Sequence, residues 1–211
     1  LTPILAKLFE GLLATLLLSL LAFVLGGAMG LLVLFARVGH WPLARRISRG
    51  YIQLFQNTPL LMQMFLVFFG ASMAGYSISP WTAAAIGLTL YTSAYLAEVW
   101  RGCVEAVPRG QWEASSSLAM GYVQQMRHVV LPQALRLSVA PTVGFSVQIV
   151  KGTAVASIIG MTELSKIGSM LANATFQPFL IYGLVAAGYF ILCWPLSMAA
   201  SHLEKKLNAA R

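Results

Sequence analysis

Residues 11–36 form a stretch without a single charged side chain. As a helix that stretch would cover about 39 Å, more than the roughly 30 Å hydrocarbon core of a bilayer. Nothing else in the chain limits its fold as strongly. In hydrocarbon a backbone must satisfy its own N–H and C=O groups, and a helix does so within one segment. Further apolar runs lie at 59–75, 81–100, 137–160 and 179–200. Charged residues make up only 9% of the 211, against about 25% in an ordinary soluble domain. So few charges would not cover a soluble surface. The expectation is an all-α integral membrane protein of about five transmembrane helices, forming one domain over residues 1–211 without internal repeats. Gly26, Gly27 and Gly30 are placed for close helix packing in the first span.

Lys and Arg set the orientation. The first connection carries Arg37, Arg45, Arg46 and Arg49; the second, 71–80, carries none. The third carries Arg101, Arg109, Arg127 and Arg136, the fourth only Lys166, and the tail Lys205, Lys206 and Arg211. This alternation puts the first and third connections and the C-terminus in the cytoplasm, and the N-terminus outside. The net charge of +8 thus sits between apolar runs. No basic stripe with interleaved aromatics points to nucleic acid. The first residue is Leu1, so a preceding piece is expected, and the first run is too long for a signal-peptide core.

The longest connection, 101–136, faces the cytoplasm and is too short to be an enzyme domain. Pro108, Gly110, Gly121 and Pro132 punctuate it. One short amphipathic helix is expected from about Gln111 to Gly121 and another over 122–130, with Glu98 and Arg101 forming a local ion pair just before them. Inside the spans, ionisable residues are functional candidates. Lys151 lies about 20 Å along the fourth span from its cytoplasmic end. Either it faces a central cavity and meets a substrate carboxylate, or protein carbonyls and outer headgroups satisfy it. Gly152 would loosen the helix there, as in broken transporter helices. Thr153 and Ser157, four apart, would offer hydroxyls on one face. Glu163, near the outer end, is either a site for a substrate amine or simply solvated.

The segment 113–132 resembles the cytoplasmic EAA loop of ABC importer permeases. That pattern is Glu-Ala-Ala, three residues, Gly, nine residues, Ile, one residue, Leu-Pro. Glu113, Ala114 and Ser115 open it here, Ala119 fills the glycine slot, Val129 the isoleucine slot, and Leu131 and Pro132 close it. The spacing is intact, with departures at Ser115, Ala119 and Val129. Loss of the glycine at 119 removes a residue suited to φ > 0, so Gly121 is expected to supply the turn. Asn57-Thr58-Pro59-Leu60-Leu61, the stretch 93–102 and Lys151-Gly152-Thr153 extend the resemblance to the polar amino acid uptake subgroup. That subgroup often has Lys-Asp-Thr at the last of these; here there is no aspartate in the whole chain.

The resemblance implies a permease subunit in the bacterial inner membrane. Its partners would be two ATP-binding cassette subunits docked on 113–132, a second permease copy or homologous permease, an extracytoplasmic solute-binding protein and membrane lipid. ATP and Mg would sit on the cassette subunits, with no cofactor on this chain. The sequence agrees in lacking a G-x-x-x-x-G-K-[ST] phosphate cradle. A related permease for another small solute remains an alternative. A membrane-embedded enzyme is disfavoured: there is no H-E-x-x-H or G-x-S-x-G, and His40, His128 and His202 are scattered. Cys103 and Cys193 have no metal-ligand spacing, and neither a disulfide nor a metal site is expected.

Overall fold

The computed structural model describes residues 2–39 and 41–209, so Leu1, His40, Ala210 and Arg211 lie outside the description. Every regular element among the described residues is helical. In chain order these are α1 (Thr2–Val38), α2 (Pro42–Gln56), α3 (Leu60–Met73), α4 (Pro80–Glu105), α5 (Arg109–Ser117) and α6 (Tyr122–Gln125). A π turn (Met126–Val130) leads to α7 (Leu131–Gly152) and a 3-10 turn (Thr153–Ser157), and α8 (Leu164–Thr175) and α9 (Pro178–Ala209) follow.

Three of these helical stretches are long and apolar enough to cross a membrane: Thr2–Val38, Tyr122–Ser157 and Pro178–Leu207. A fourth arises if α2 and α3, bent by 102° at their junction, count as one broken span. The run expected at 59–75 is therefore not a straight span. Its helix, α3, has 14 residues, about 21 Å, which is shorter than the hydrocarbon core. The run at 81–100 lies in α4, whose 26 residues give ample length. α4 is less apolar because its neighbours enclose it: Ala83, Ala84, Leu88, Thr92, Ser93, Ala94, Leu96 and Ala97 are all fully buried. The outer helices are apolar on their exposed sides instead, with Leu17, Leu20 and Leu32 of α1 exposed, as side chains against lipid would be. Ser79 caps α4, its Oγ accepting from Thr82 N at 3.1 Å, and Pro80 occupies the first turn where its missing N–H costs nothing.

α1 and α4 approach closely because α1 has glycine where they touch. A Cβ on Gly26 would lie 2.6 Å from Thr92 Cβ, and one on Gly30 3.1 Å from Ser93 O, whereas Gly27 meets nothing closer than 3.9 Å. Tyr51 pins α2 to the pair, its hydroxyl meeting Leu90 O at 3.1 Å and Ser93 Oγ at 2.6 Å. At the elbow, Gln63 Nε2 donates to Phe55 O at 2.9 Å and to Thr58 O at 3.0 Å. Phe55 O is one of the last carbonyls of α2, which have no intrahelical partner, and Thr58 O lies in the linker just after it. One α3 side chain thus satisfies the end of α2 and holds the bend.

One expectation about element limits changes. The helix expected over 122–130 is not separate: it runs through the π turn into α7, so the second half of the connection is the N-terminal end of the helix that carries the run at 137–160. Pro132 has no N–H and its ring crowds the preceding turn. The π turn widens the helix there, and Leu131 N–H bonds back to Met126 O. The fourth connection contains a helix of its own, α8. Its N-cap is Glu163, an uncommon capping residue that hides the helix start in the sequence.

Candidate coupling surface and the groove between α7 and α9

α5, α6 and the π turn form a small knob with its own core. Val104, Val107, Met126, Val130 and Ala134 are buried in it, with Trp112, Val129 and Leu131 packed against them. Ser115, where the pattern has alanine, also points inward, and its hydroxyl donates back to Trp112 O at 2.9 Å. Its extra polar atom is therefore satisfied within its own helix. Gln125 is buried beneath the turn, and its Nε2 donates to Ser116 Oγ and Met120 O, both at 2.9 Å.

The turn after α5 corrects the expectation about glycine. Ala119 itself adopts φ 55°, while Gly121 is extended at φ −67°, ψ 159°. Met120 N bonds Ser115 O at 3.2 Å and Ala119 N bonds Ser116 O at 2.9 Å. These are the two bonds of a Schellman motif, which calls for a left-handed residue directly after the helix cap. The geometry fixes that residue as 119, and Gly121, two further on, cannot replace it. Gly121 instead precedes α6, where Gln124 Oε1 reaches back to its N–H at 3.1 Å.

The exposed part of the knob carries Glu113, Ala114, Leu118 and Val123. Leu118 is 76% and Val123 72% exposed, two apolar side chains held out on a rigid support. Glu113 makes no ion pair among the described residues. Tyr122 OH donates to Val38 O at 3.0 Å, so the knob sits at the C-terminal end of α1. Pro132 is exposed and Leu131 half-buried. The expected pair of Glu98 and Arg101 forms at 2.6 Å, and Arg101 also pairs with Glu105; the hydrogen bond to Glu98 and then that to Glu105 raise its already high pKa, against burial, which lowers it.

The four residues expected to meet substrate are not brought together. Lys151 is exposed, in a cleft of about 370 Å³ between α7 and α9 beside Val147, Tyr189, Trp194 and Ser197. This cleft adjoins a groove of about 560 Å³ that continues along Gly144, Gln148, Ser201 and Glu204 and shares Ser197. Thr153 is fully buried and its hydroxyl donates to Val150 O at 2.7 Å; Ser157 is half-buried and bonds Ala154 O at 2.7 Å. They do not share a face because the chain is a 3-10 turn there. At three residues per turn, positions four apart are about 120° apart. Gly152 does not open the helix. It stays helical, and a Cβ there would lie 3.3 Å from both Leu60 Cδ2 and Leu88 Cδ2, so it lets α7 approach α3 and α4.

Glu163 is neither solvated nor in the groove. It is fully buried, accepting from Lys166 N at 2.8 Å, Ser165 N at 3.0 Å, Tyr189 OH at 2.7 Å and Thr15 Oγ1 at 3.4 Å. Burial pushes its carboxyl above the usual range, and these donors pull it back part of the way. It ties α1, α8 and α9 together as a buried cap. Tyr189, Gln125 and Gln63 are the polar residues that the sequence reading missed. For Gln63 and Tyr189 the one visible signal was a polar group placed among apolar neighbours; Gln125, in a polar stretch, gave none.

Comparison with known proteins agrees with this architecture. A probable amino-acid ABC transporter permease, YckA of Bacillus subtilis (strain 168), is 33% identical over 192 residues, 91% of this chain and 85% of that protein. The glutamine transport system permease GlnP of Escherichia coli (strain K12) is 32% identical over 209 residues, 98% of this chain and 95% of that one. The crystal structure of an amino acid ABC transporter with histidines superposes with a TM-score of 0.91 at 31% identity, covering 95% of this chain and 94% of that one. The sequence profile of the binding-protein-dependent transport system inner membrane components matches residues 22–208. With that match spanning nearly all of a helical bundle that carries the knob, the chain belongs to the family of binding-protein-dependent transport system inner membrane components.

Proposed function

We propose that this chain is the permease subunit of an ATP-driven importer for a polar amino acid, coupled to a separate ATPase through residues 113–132. The observation that carries this reading is the knob. Its pattern spacing is intact, its own core holds it rigid, and its exposed face presents Glu113, Leu118 and Val123. A rigid knob passes on a partner's motion; a floppy loop would absorb it. Two ATP-binding cassette subunits would supply ATP and Mg chemistry, and a solute-binding protein would deliver the cargo from outside. The amino acid and glutamine permeases among the relatives favour the cargo class.

The groove between α7 and α9 is open along its length, and Lys151, Gln148 and Glu204 line it with polar groups. Such groups are costly against lipid. A second permease copy, or a homologous permease, would close the groove and make it a solute path in which Lys151 meets the substrate carboxylate. The N-terminus is outside and the C-terminus cytoplasmic, in keeping with the arginines of the first and third connections. The bond between Tyr122 and Val38, which keeps those two connections at one end of the bundle, supports this.

The test is uptake by the transporter reconstituted with its ATPase and binding protein. Glu113→Lys should lower uptake while ATPase activity escapes control by the loaded binding protein. Uptake at the wild-type rate would reject the docking role. Undiminished uptake in Lys151→Met would remove Lys151 from the path.

A further inference from the structure

We propose that the exposed side of α2 holds a phospholipid with a net-negative headgroup, in the leaflet at the knob's end of the bundle. Arg46 and Arg49 take its phosphate, and Leu43, Ile47 and Leu54 lie along its acyl chain. This goes beyond the importer reading and needs only a bundle that crosses a bilayer. Ser48 and Ile52 are the buried side of α2. Its exposed side has two strips. Leu43, Ile47 and Leu54, at spacings of four and seven, are 68%, 64% and 58% exposed and form an apolar one. From Leu43 to Leu54 is about 16 Å at 1.5 Å per residue, roughly half the hydrocarbon core. Arg46 and Arg49, three apart and both exposed, are neighbours on the other strip. Gly50 lies between the strips, one turn on from both Arg46 and Ile47. A Cβ there would meet nothing within 4 Å, so the surface is open where a headgroup would join its chain.

The arginines stand at headgroup level. Arg37 is the first charge after the uncharged run at 11–36, so it marks the end of the hydrocarbon on α1. Arg45 donates to Gly39 O at 2.8 Å, which sets the first turn of α2 beside that end, and Arg49 is near enough to act on Arg37 electrostatically. Trp41, 79% exposed just before α2, suits the same interface. From there the apolar strip runs inward, with Leu54 past Tyr51, which reaches Leu90 and Ser93 of α4. The positive charge is uncompensated. No acidic residue occurs between Glu10 and Glu98. Glu98 and Glu105 are both taken by Arg101, and Arg46 and Arg49 have no carboxylate partner among the described residues. Guanidinium groups match phosphate oxygens with paired N–H donors. A zwitterionic headgroup would bring its own cation to this cluster, so a net-negative one fits better. A soluble anion would leave the apolar strip uncovered, and a protein docking from the aqueous side would stop short of Leu54.

The test is lipid retention by the permease purified in detergent, with and without its ATPase subunits. Native mass spectrometry reads it after incubation with phosphatidylglycerol or phosphatidylcholine of the same acyl chains, and size exclusion checks the assembly of each variant. Wild type should retain phosphatidylglycerol in preference to phosphatidylcholine. In the double variant Arg46→Gln, Arg49→Gln that preference should fall about tenfold. Arg109→Gln, which removes an exposed charge from α5 instead, should keep it. Ile47→Ser should weaken retention of both lipids. Equal retention of the two lipids by wild type, or a preference unchanged in the double variant, would overturn the site. Displacement of phosphatidylglycerol by millimolar glycerol phosphate would overturn it too, because the arginines would then hold a free phosphate ester. Retention that vanishes when the ATPase subunits are present would assign the arginines to those subunits and not to lipid.

Discussion

Replacing Ala119 with glycine should strengthen the coupling knob. Ala119 sits at φ 55°. A left-handed residue with a Cβ costs about 1–2 kcal/mol, and glycine removes that cost. Glycine adds back about 0.4–1 kcal/mol through the entropy of the unfolded chain. The Ala119 side chain is exposed, so its loss forfeits little packing. The balance is about 0.5–1 kcal/mol in favour of the folded turn, or a two- to fivefold shift in a local opening equilibrium. Amide hydrogen exchange reads this directly. The Ala119 and Met120 N–H groups are held by Ser116 O and Ser115 O and should exchange about two- to fivefold more slowly in Ala119→Gly. Gly121→Ala is the contrast. Gly121 is extended, and a Cβ there meets nothing within 4 Å, so exchange across the turn should stay within the range of a neutral surface change, about 0.5 kcal/mol. Faster exchange in Ala119→Gly, or a loosened turn in Gly121→Ala, would refute the placement of the left-handed residue at 119.

Gln125→Leu should loosen the same turn. It leaves the buried side of Met120 O without its donor, costing about 1–3 kcal/mol, visible as faster proteolysis between α5 and α6. Glu163→Ala removes an N-cap and leaves Tyr189 without its carboxylate, so the thermal midpoint in detergent should fall by more than that of an exposed Lys7→Ala, the cap alone being worth about 0.5–2 kcal/mol. Tyr189→Phe removes one of the four hydrogen bonds that Glu163→Ala removes together, so its midpoint should fall by less than that of Glu163→Ala. Gly26→Val should separate α1 from α4 at a cost of about 1–3 kcal/mol or more, read as loss of folded protein on size exclusion; normal folding would show that Thr92 can move aside.

Several features were legible because their cause is local. Run length dictates a spanning helix wherever it occurs, and the positions of α1, α4, α7 and α9 follow from it. The ion pair of Glu98 and Arg101 needs only helical spacing. What escaped the sequence depends on partners far along the chain. Glu163 reads as an outer, wet residue until Thr15, 148 positions away, and Tyr189 close over it. Thr153 and Ser157 align on an α-helix template and separate only because the chain tightens to a 3-10 turn where α7 packs on Leu60 and Leu88.

The sequence by itself determined that this chain lives in a membrane as a helical bundle, and that it carries the spacing of the EAA loop between the runs at 81–100 and 137–160. Both follow from lengths and spacings along the chain, which no packing can alter. Only the tertiary structure decided that the turn falls on Ala119, that Glu163 is a cap, and that the second span is broken at 57–59. Those outcomes turn on which buried donor meets which acceptor across helices. The low dielectric of the bundle makes an unmet partner so costly that the fold, not the local sequence, chooses the pairing.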